Sequence, residues 1–270
     1  MHYDPIKRSL GKVFNKTPFL RKVFYKLLDL LMLRAWHVHR ELRAWKRSQG
    51  TRNDIKILDA GSGYGQHTYY LTGMNRNWEI FAVDVKDEQV DDCNKFFHRV
   101  GRTNVKFEVA DLTTFKRENT YDLALSVDVM EHILEDVLVF ENICASLKKG
   151  GMLLVSTPSD QGGSDVHEEG EGSFIEEHVR DGYNIKEIEE KMKKAGFTKV
   201  EALYSYGTPG KISWRISMKW PIQMLGVSKI FFILIPFYYI IFYPFAYILN
   251  WMDTLSTHKT GTGLIVKAWK

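Results

Sequence analysis

Residues 57–65 read ILDAGSGYG, an apolar, strand-like run that closes on an acidic residue and then places glycines at 61, 63 and 65. Glycine lets the backbone turn tightly and approach a ligand closely, and a helix N-terminus after such a turn favours a carboxylate or phosphate. The spacing discriminates between ligands. A dinucleotide fingerprint is GxGxxG, whereas this turn is GxGxG with Asp59 two residues ahead.

Outward from this turn, short apolar runs alternate with helical patterns. KILDA, EIFAVDV, NVKFEVAD, YDLALSVD, MLLVSTP, KVEALYS and, near the C-terminus, GLIVKAW read as strands. Helices are expected near Gln66 to Met74, Glu88 to Val100, Glu131 to Leu147 and Ile185 to Ala195. The alternation predicts an α/β fold, a doubly wound Rossmann-like parallel sheet covered by helices on both faces. No internal repeat interrupts it.

The second strand ends in Asp84, where a carboxylate takes both hydroxyls of a ribose. The third ends VADL, placing Asp111 and Leu112 where an adenine edge and face would lie. Each acid alone reads equally well as a cap of a turn or helix. Together with the glycines they define one crevice at the C-terminal ends of successive strands.

With these residues in place, the chain resembles the class I S-adenosylmethionine-dependent methyltransferases, and among them the group that includes the ubiquinone-biosynthesis O-methyltransferases. The matching stretches are ILDAGSGYG, FAVDV, VADL, YDLALSVDVMEHI, KKGGMLLVSTPS and HVRDGYNIKEIEEKMKKAGF, with GTGLIVKAWK similar to the family's last strand. The resemblance implies a seven-stranded sheet and S-adenosylmethionine as cofactor. It implies that Asp59, Gly61, Ser62 and Gly63 cradle the methionine part, Asp84 the ribose, and Asp111 with Leu112 the adenine. In-line displacement at an activated methyl group needs mainly alignment and exclusion of water, and a base only where the acceptor must lose a proton.

Two segments offer such a base. In DVMEHI, Asp128, Glu131 and His132 resemble a divalent-metal motif of some relatives; the alternative is an acidic helix N-terminus, and no metal is expected. Residues 164–183 carry seven carboxylates and read as a lid, with His167, His178 and Tyr183 as acid/base candidates, or as a solvated loop.

Charge is uneven. Residues 1–50 hold 12 of the 37 Lys and Arg residues, against Asp4, Asp29 and Glu41. From Leu20 to Leu42 the apolar residues fall at helical spacing among basic ones, predicting an amphipathic arm (1–50) for an anionic membrane surface. Nucleic acid is disfavoured, because the stripe is Leu/Phe-rich rather than aromatic on a polar surface. The methyltransferase core is expected at 51–207 plus 261–270, separated by a hydrophobic insertion at 208–260.

Within that insertion, residues 230–249 hold no charge, and thirteen of the twenty are Ile, Leu or Phe. At mid-membrane values that favours insertion by about 4 to 8 kcal/mol before the prolines are counted. If both flanking strands pair in one sheet, a single span is excluded, and Pro236 and Pro244 are expected to bend a shallow, re-entrant anchor. The alternative is that this segment and the N-terminal arm pack on each other as a hydrophobic cap over the acceptor site, in a soluble enzyme or a dimer. Cys93 and Cys144 lack metal-ligand spacing, and no signal peptide is read, which suits the cytoplasmic face of a membrane. The resulting expectation is a membrane-surface methyltransferase acting on a lipid-soluble or lipid-linked acceptor. An RNA methyltransferase, an inactive cofactor-binding adaptor and a nicotinamide dehydrogenase are the weaker readings.

Overall fold

The computed structural model describes residues 17–162, 179–228 and 230–270. Its centre is a seven-stranded sheet in the order β3-β2-β1-β4-β5-β7-β6. The strands are β1 (Lys56–Ala60), β2 (Glu79–Asp84), β3 (Val105–Val109), β4 (Tyr121–Val127), β5 (Leu147–Pro158), β6 (Lys199–Ser205) and β7 (Gly263–Trp269). All seven coincide with the apolar runs read from sequence. The sheet is mixed rather than wholly parallel, since β7 pairs antiparallel with both β5 and β6. The long insertion after β6 returns to the edge from which it left, so the strand that follows must run back.

The helices are α1 (Pro18–Leu31), α2 (Leu33–Ser48), α3 (Gln66–Met74), α4 (Asp87–Arg99), α5 (Asp136–Ser146), α6 (Ile185–Lys194), α7 (Thr208–Trp214), α8 (Trp220–Val227) and α9 (Phe231–Leu255). On one sheet face Leu58, Val83, Ala124 and Leu153 pack with Phe140 and Ile143 of α5 and Ile188 and Met192 of α6. On the other, Ile57, Ile80, Leu123, Leu125 and Leu154 pack under Val38, Leu42 and Trp45 of α2. Strands buried on both faces explain why their sequences read as continuous apolar runs.

Three expectations are corrected, those for the N-terminal arm, for the helix after Glu131 and for the insertion. The single basic amphipathic helix is two helices, because Met32 is extended (φ −90°, ψ 111°). The apolar face of α2, assigned above to a lipid surface, is spent on the sheet: Val38 and Leu42 are fully buried. The helix expected from Glu131 begins instead as a 3₁₀ turn (Met130–His132) before α5. There the Tyr183 hydroxyl donates to the Met130 carbonyl at 3.1 Å and Arg180 Nη2 to that of Ile133 at 2.7 Å. These side chains take carbonyls that a continuous helix would use.

The third concerns the insertion. A helical run from Thr208 to Val227, with a π turn at Arg215–Lys219, leads out, and α9 leads back. Pro236 and Pro244 lie inside α9 without ending it. The two legs are stitched by Tyr238 and Tyr239, whose hydroxyls donate to the Ile216 and Ser217 carbonyls of the π turn, each at 2.8 Å. Ser213 Oγ donates to the Ala246 carbonyl. Because β6 runs parallel to β5, the insertion leaves from the sheet edge formed by the C-terminal ends of β1, β4 and β5.

Candidate functional site

At that edge the glycine turn follows β1. Gly61 (φ +82°), Gly63 (φ +51°) and Gly65 (φ +77°) are left-handed, a conformation that other L-residues adopt at a cost. The Gly61 and Ser62 amides both donate to the Val83 carbonyl at 2.9 Å, which pins the turn to β2. A Cβ on Gly61 would lie 2.3 Å from Val129 Cγ2. Gly65 caps α3, with the rings of Phe97 and Phe107 close behind it.

The acidic residues expected to line the crevice stand at the C-terminal ends of their strands. Asp84 Oδ2 accepts the Gly63 amide at 2.8 Å and Oδ1 that of Lys86 at 3.0 Å. Asp111 Oδ1 accepts the amide and hydroxyl of Thr113, each at 2.8 Å. Leu112 is buried, its carbonyl held by Asn142 Nδ2. Asp59 is buried beneath the turn and accepts Thr68 Oγ1 at 2.5 Å. Burial pushes its carboxyl up to about 7; the Thr68 hydrogen bond opposes this and Asp84 adds to it. Ser62 Oγ is buried with no hydrogen-bond partner among the described residues. An orphaned hydroxyl, a left-handed glycine turn with open space at Gly63, and carboxylates at the same sheet edge fit S-adenosylmethionine, whose methionine, ribose and adenine parts present matching groups.

At the end of β4, Asp128 has a left-handed backbone (φ 53°) and forms an ion pair with Arg34 of α2. Glu131 is buried, accepts Thr157 Oγ1 at 3.1 Å, and is held above the ordinary carboxyl range by burial. His132 follows it in the 3₁₀ turn. Among the described residues, no three His, Cys, Asp or Glu side chains converge as metal ligands would.

Tyr183, expected as an acid or base, is fully buried, and its hydroxyl donates to Asp136 Oδ2 at 2.8 Å and to the Met130 carbonyl. Burial raises its pKa further out of range. It braces the 130–136 turn through these two contacts. His167 and His178, with most of the expected lid, lie outside the described residues.

Sequence reasoning missed the residues that α1 and α2 bring to the crevice. Arg21 Nη2 donates to the Tyr64 carbonyl at 2.9 Å, and the Tyr25 hydroxyl donates to the same oxygen. Arg21 is also held by Asp92 and lies over the Phe96 ring. His67, in the first turn of α3, has an unpartnered Nδ1 and is kept neutral by burial and the nearby Arg34, its pKa lowered to about 3. No local pattern marks these residues, since their roles arise from contacts between distant segments.

A family model described as a methyltransferase domain matches residues 51–207. Phosphoethanolamine N-methyltransferase 1 of Triticum aestivum is 30% identical over 149 residues, covering 54% of this chain and 29% of that protein. The chain thus spans less than a third of the length of that curated relative. Among solved structures, phosphoethanolamine N-methyltransferase 2 of Haemonchus contortus in complex with S-adenosyl-L-methionine superposes with a TM-score of 0.57 at 19% identity, over 86% of this chain and 52% of that one. A putative sarcosine dimethylglycine methyltransferase from Galdieria sulphuraria gives 0.55 at 16% identity, over 85% and 84%.

Proposed function

The chain belongs to the class I S-adenosylmethionine-dependent methyltransferases, and from that premise we propose that it methylates a lipid-soluble or lipid-linked acceptor at a membrane surface. S-adenosylmethionine, when bound, supplies an activated methyl group on its sulfonium. Asp59, Gly61, Ser62 and Gly63 hold its methionine part, Asp84 its ribose, and Asp111 with Leu112 its adenine. Asp128, Glu131 and His132, at the end of β4, bound the side from which an acceptor approaches. His132 is our candidate to receive a proton from an acceptor that must lose one.

The observation that supports the membrane reading is α9. It is long and apolar enough to cross a bilayer, and almost none of its apolar length is buried, which supports a surface role rather than a core one. Ile233, Phe237, Ile240 and Phe245 are each at least 60% exposed, which favours a surface contact over an internal cap. A full span is disfavoured by the outward leg, where Lys211, Arg215 and Lys219 recur every fourth residue. At the bilayer centre each would cost about 2.5 to 3.5 kcal/mol. The hairpin therefore lies in the interface, with its basic stripe toward anionic headgroups.

The test is to incubate the purified chain with methyl-labelled S-adenosylmethionine and a membrane lipid extract, beside Asp84→Ala. Label entering the organic phase with wild type alone is the expected result. Label transferred only to a water-soluble amine such as phosphoethanolamine would replace the lipid acceptor by a soluble one. That second reading is favoured by the similarity to the wheat enzyme.

A further inference from the structure

The insertion is not the whole apolar surface. Along α1, Phe19, Leu27 and Leu30 are 70%, 40% and 39% exposed, and with the exposed Lys22 and Lys26 they occupy one side of the helix, at the i, i+4, i+8 spacing of a single face. The opposite side carries Arg21 and Tyr25, which are buried. The end of α1 is fastened to α9 through one carbonyl, that of Leu30. It accepts the Tyr243 hydroxyl at 2.6 Å and Trp36 Nε1 at 3.0 Å. The Trp36 and Tyr247 rings meet edge to face, with centroids 4.8 Å apart. Leu27 and Leu30 at the end of α1 and Tyr247 and Ile248 of α9 are all exposed, and the Tyr243–Leu30 hydrogen bond joins the two helices at that end.

Charge points to one kind of occupant. From Thr208 to Met252 the chain has four Lys or Arg residues and no Asp or Glu, and the exposed side of α1 adds Lys22 and Lys26. Among the described residues, an apolar surface carrying Lys211, Arg215 and Lys219 beside α9 and the exposed Lys22 and Lys26 on α1 fits an anionic bilayer. A second copy of this chain would bring the same cations against themselves.

We infer that α1 and α9 form one continuous contact surface for an anionic bilayer, and that α1 links this contact to cofactor binding. The link is the buried side of α1, where Arg21 and Tyr25 both donate to the carbonyl of Tyr64, inside the glycine turn. A helix already held by lipid on one side loses less freedom when it closes on the turn, so bilayer contact tightens cofactor binding. By linkage, cofactor tightens bilayer binding by the same factor. This inference rests on the membrane reading of the proposed function.

The test uses the full chain with vesicles of phosphatidylcholine and phosphatidylglycerol. S-adenosylhomocysteine affinity is measured by calorimetry with and without vesicles, and vesicle binding by sedimentation. Wild type is expected to sediment and to bind the nucleoside at least threefold more tightly on vesicles. The double variant Phe19→Asp, Leu30→Asp alters exposed side chains only. It is expected to keep the solution affinity, lose the vesicle-dependent gain and bind vesicles about tenfold more weakly. Ile233→Asp with Ile241→Asp, on α9, separates the two ideas. Sedimentation that depends on α9 alone, or an affinity unchanged by vesicles, overturns the coupling and leaves the membrane reading standing. Failure of wild type to sediment overturns both.

Discussion

Arg34 on α2 pairs with Asp128 at the end of β4, where Asp128 is held at a left-handed φ of 53°. Both side chains remain more than a quarter exposed, so the pair contributes little to stability, about 1 kcal/mol or less. Its position matters more than its energy, because Asp128 sits beside Val129, which packs on Gly61. Arg34→Ala is expected to shift the melting temperature by no more than a few degrees and to leave cofactor affinity unchanged. Methyl incorporation from the labelled cofactor should fall at least fivefold. A stability loss without a rate loss would assign the pair a purely structural role.

Asp59 sets a pH dependence. Its carboxyl is raised to about 7, chiefly by burial, against an ordinary value near 4. With Asp59 holding the methionine part as proposed, the cofactor's ammonium group would favour the ionised form, and binding would release a proton wherever Asp59 is protonated. Affinity is therefore expected to rise up to about tenfold per unit as pH increases toward 7 and to level off above it. For stability the sign is opposite: the folded chain holds this proton more tightly than the unfolded one, so this group's contribution falls as pH rises from about 4 to 7. Calorimetry in buffers of different ionisation enthalpy reads the proton release, and Asp59→Asn should abolish it.

Asp253 fastens α9 to the core. Fully buried, it accepts the amides of Tyr206 and Gly210 and meets His37 Nε2 at 2.9 Å and His258 Nε2 at 3.1 Å. Burial would raise its pKa, but His37, His258 and the Gly210 amide outweigh burial and hold it below the ordinary value. A depressed carboxyl contributes stability present above its unfolded value near 4 and lost as pH falls through the folded one. Asp253→Asn is expected to cost about 3 kcal/mol, of the order seen when one partner of a buried pair is removed. That would lower the melting temperature by roughly 6 to 12 °C. The deficit relative to wild type should shrink below about pH 4, which thermal scans across pH would show.

Gly61→Ala combines a left-handed φ with a Cβ 2.3 Å from Val129 Cγ2. Cofactor affinity is expected to fall at least tenfold. Val129→Ala in the same chain should recover part of it, since the clash is relieved and the backbone strain of about 1 kcal/mol or more remains. Calorimetric titration of both variants checks this.

Tyr183→Phe removes a buried hydroxyl that bonds Asp136 and Met130. About 1 to 2 kcal/mol of stability should be lost, with the pH profile of methyl transfer unchanged. A changed profile would restore Tyr183 as an acid or base.

The candidate crevice was legible because each of its parts is local. Asp59 and the glycines share nine residues, and Asp84 and Asp111 each close a strand whose apolar run announces it. What the sequence concealed are relationships between distant segments. Nothing near Met32, neither glycine nor proline, signals the break that turns α2 onto the sheet. His37 and Asp253 are 216 positions apart, and no periodicity links them. The reversed direction of β7 follows from where the insertion returns, a property of topology rather than of any residue in the strand. Pro236 and Pro244 were read as breaks by their interior cost, yet α9 runs through both.

That continuity leaves a mark on the helix. Lacking an N–H, Pro236 and Pro244 deprive the carbonyls of Phe232 and Ile240 of their usual donors one turn later, and both residues lie on the outer side, 63% and 72% exposed. Such oxygens are satisfied by water and left wanting in hydrocarbon, where an unmet backbone dipole costs several kcal/mol. On the proposed membrane reading, the two prolines would act as a depth gauge: α9 would settle where hydration still reaches one oxygen on each of two turns, among the headgroups.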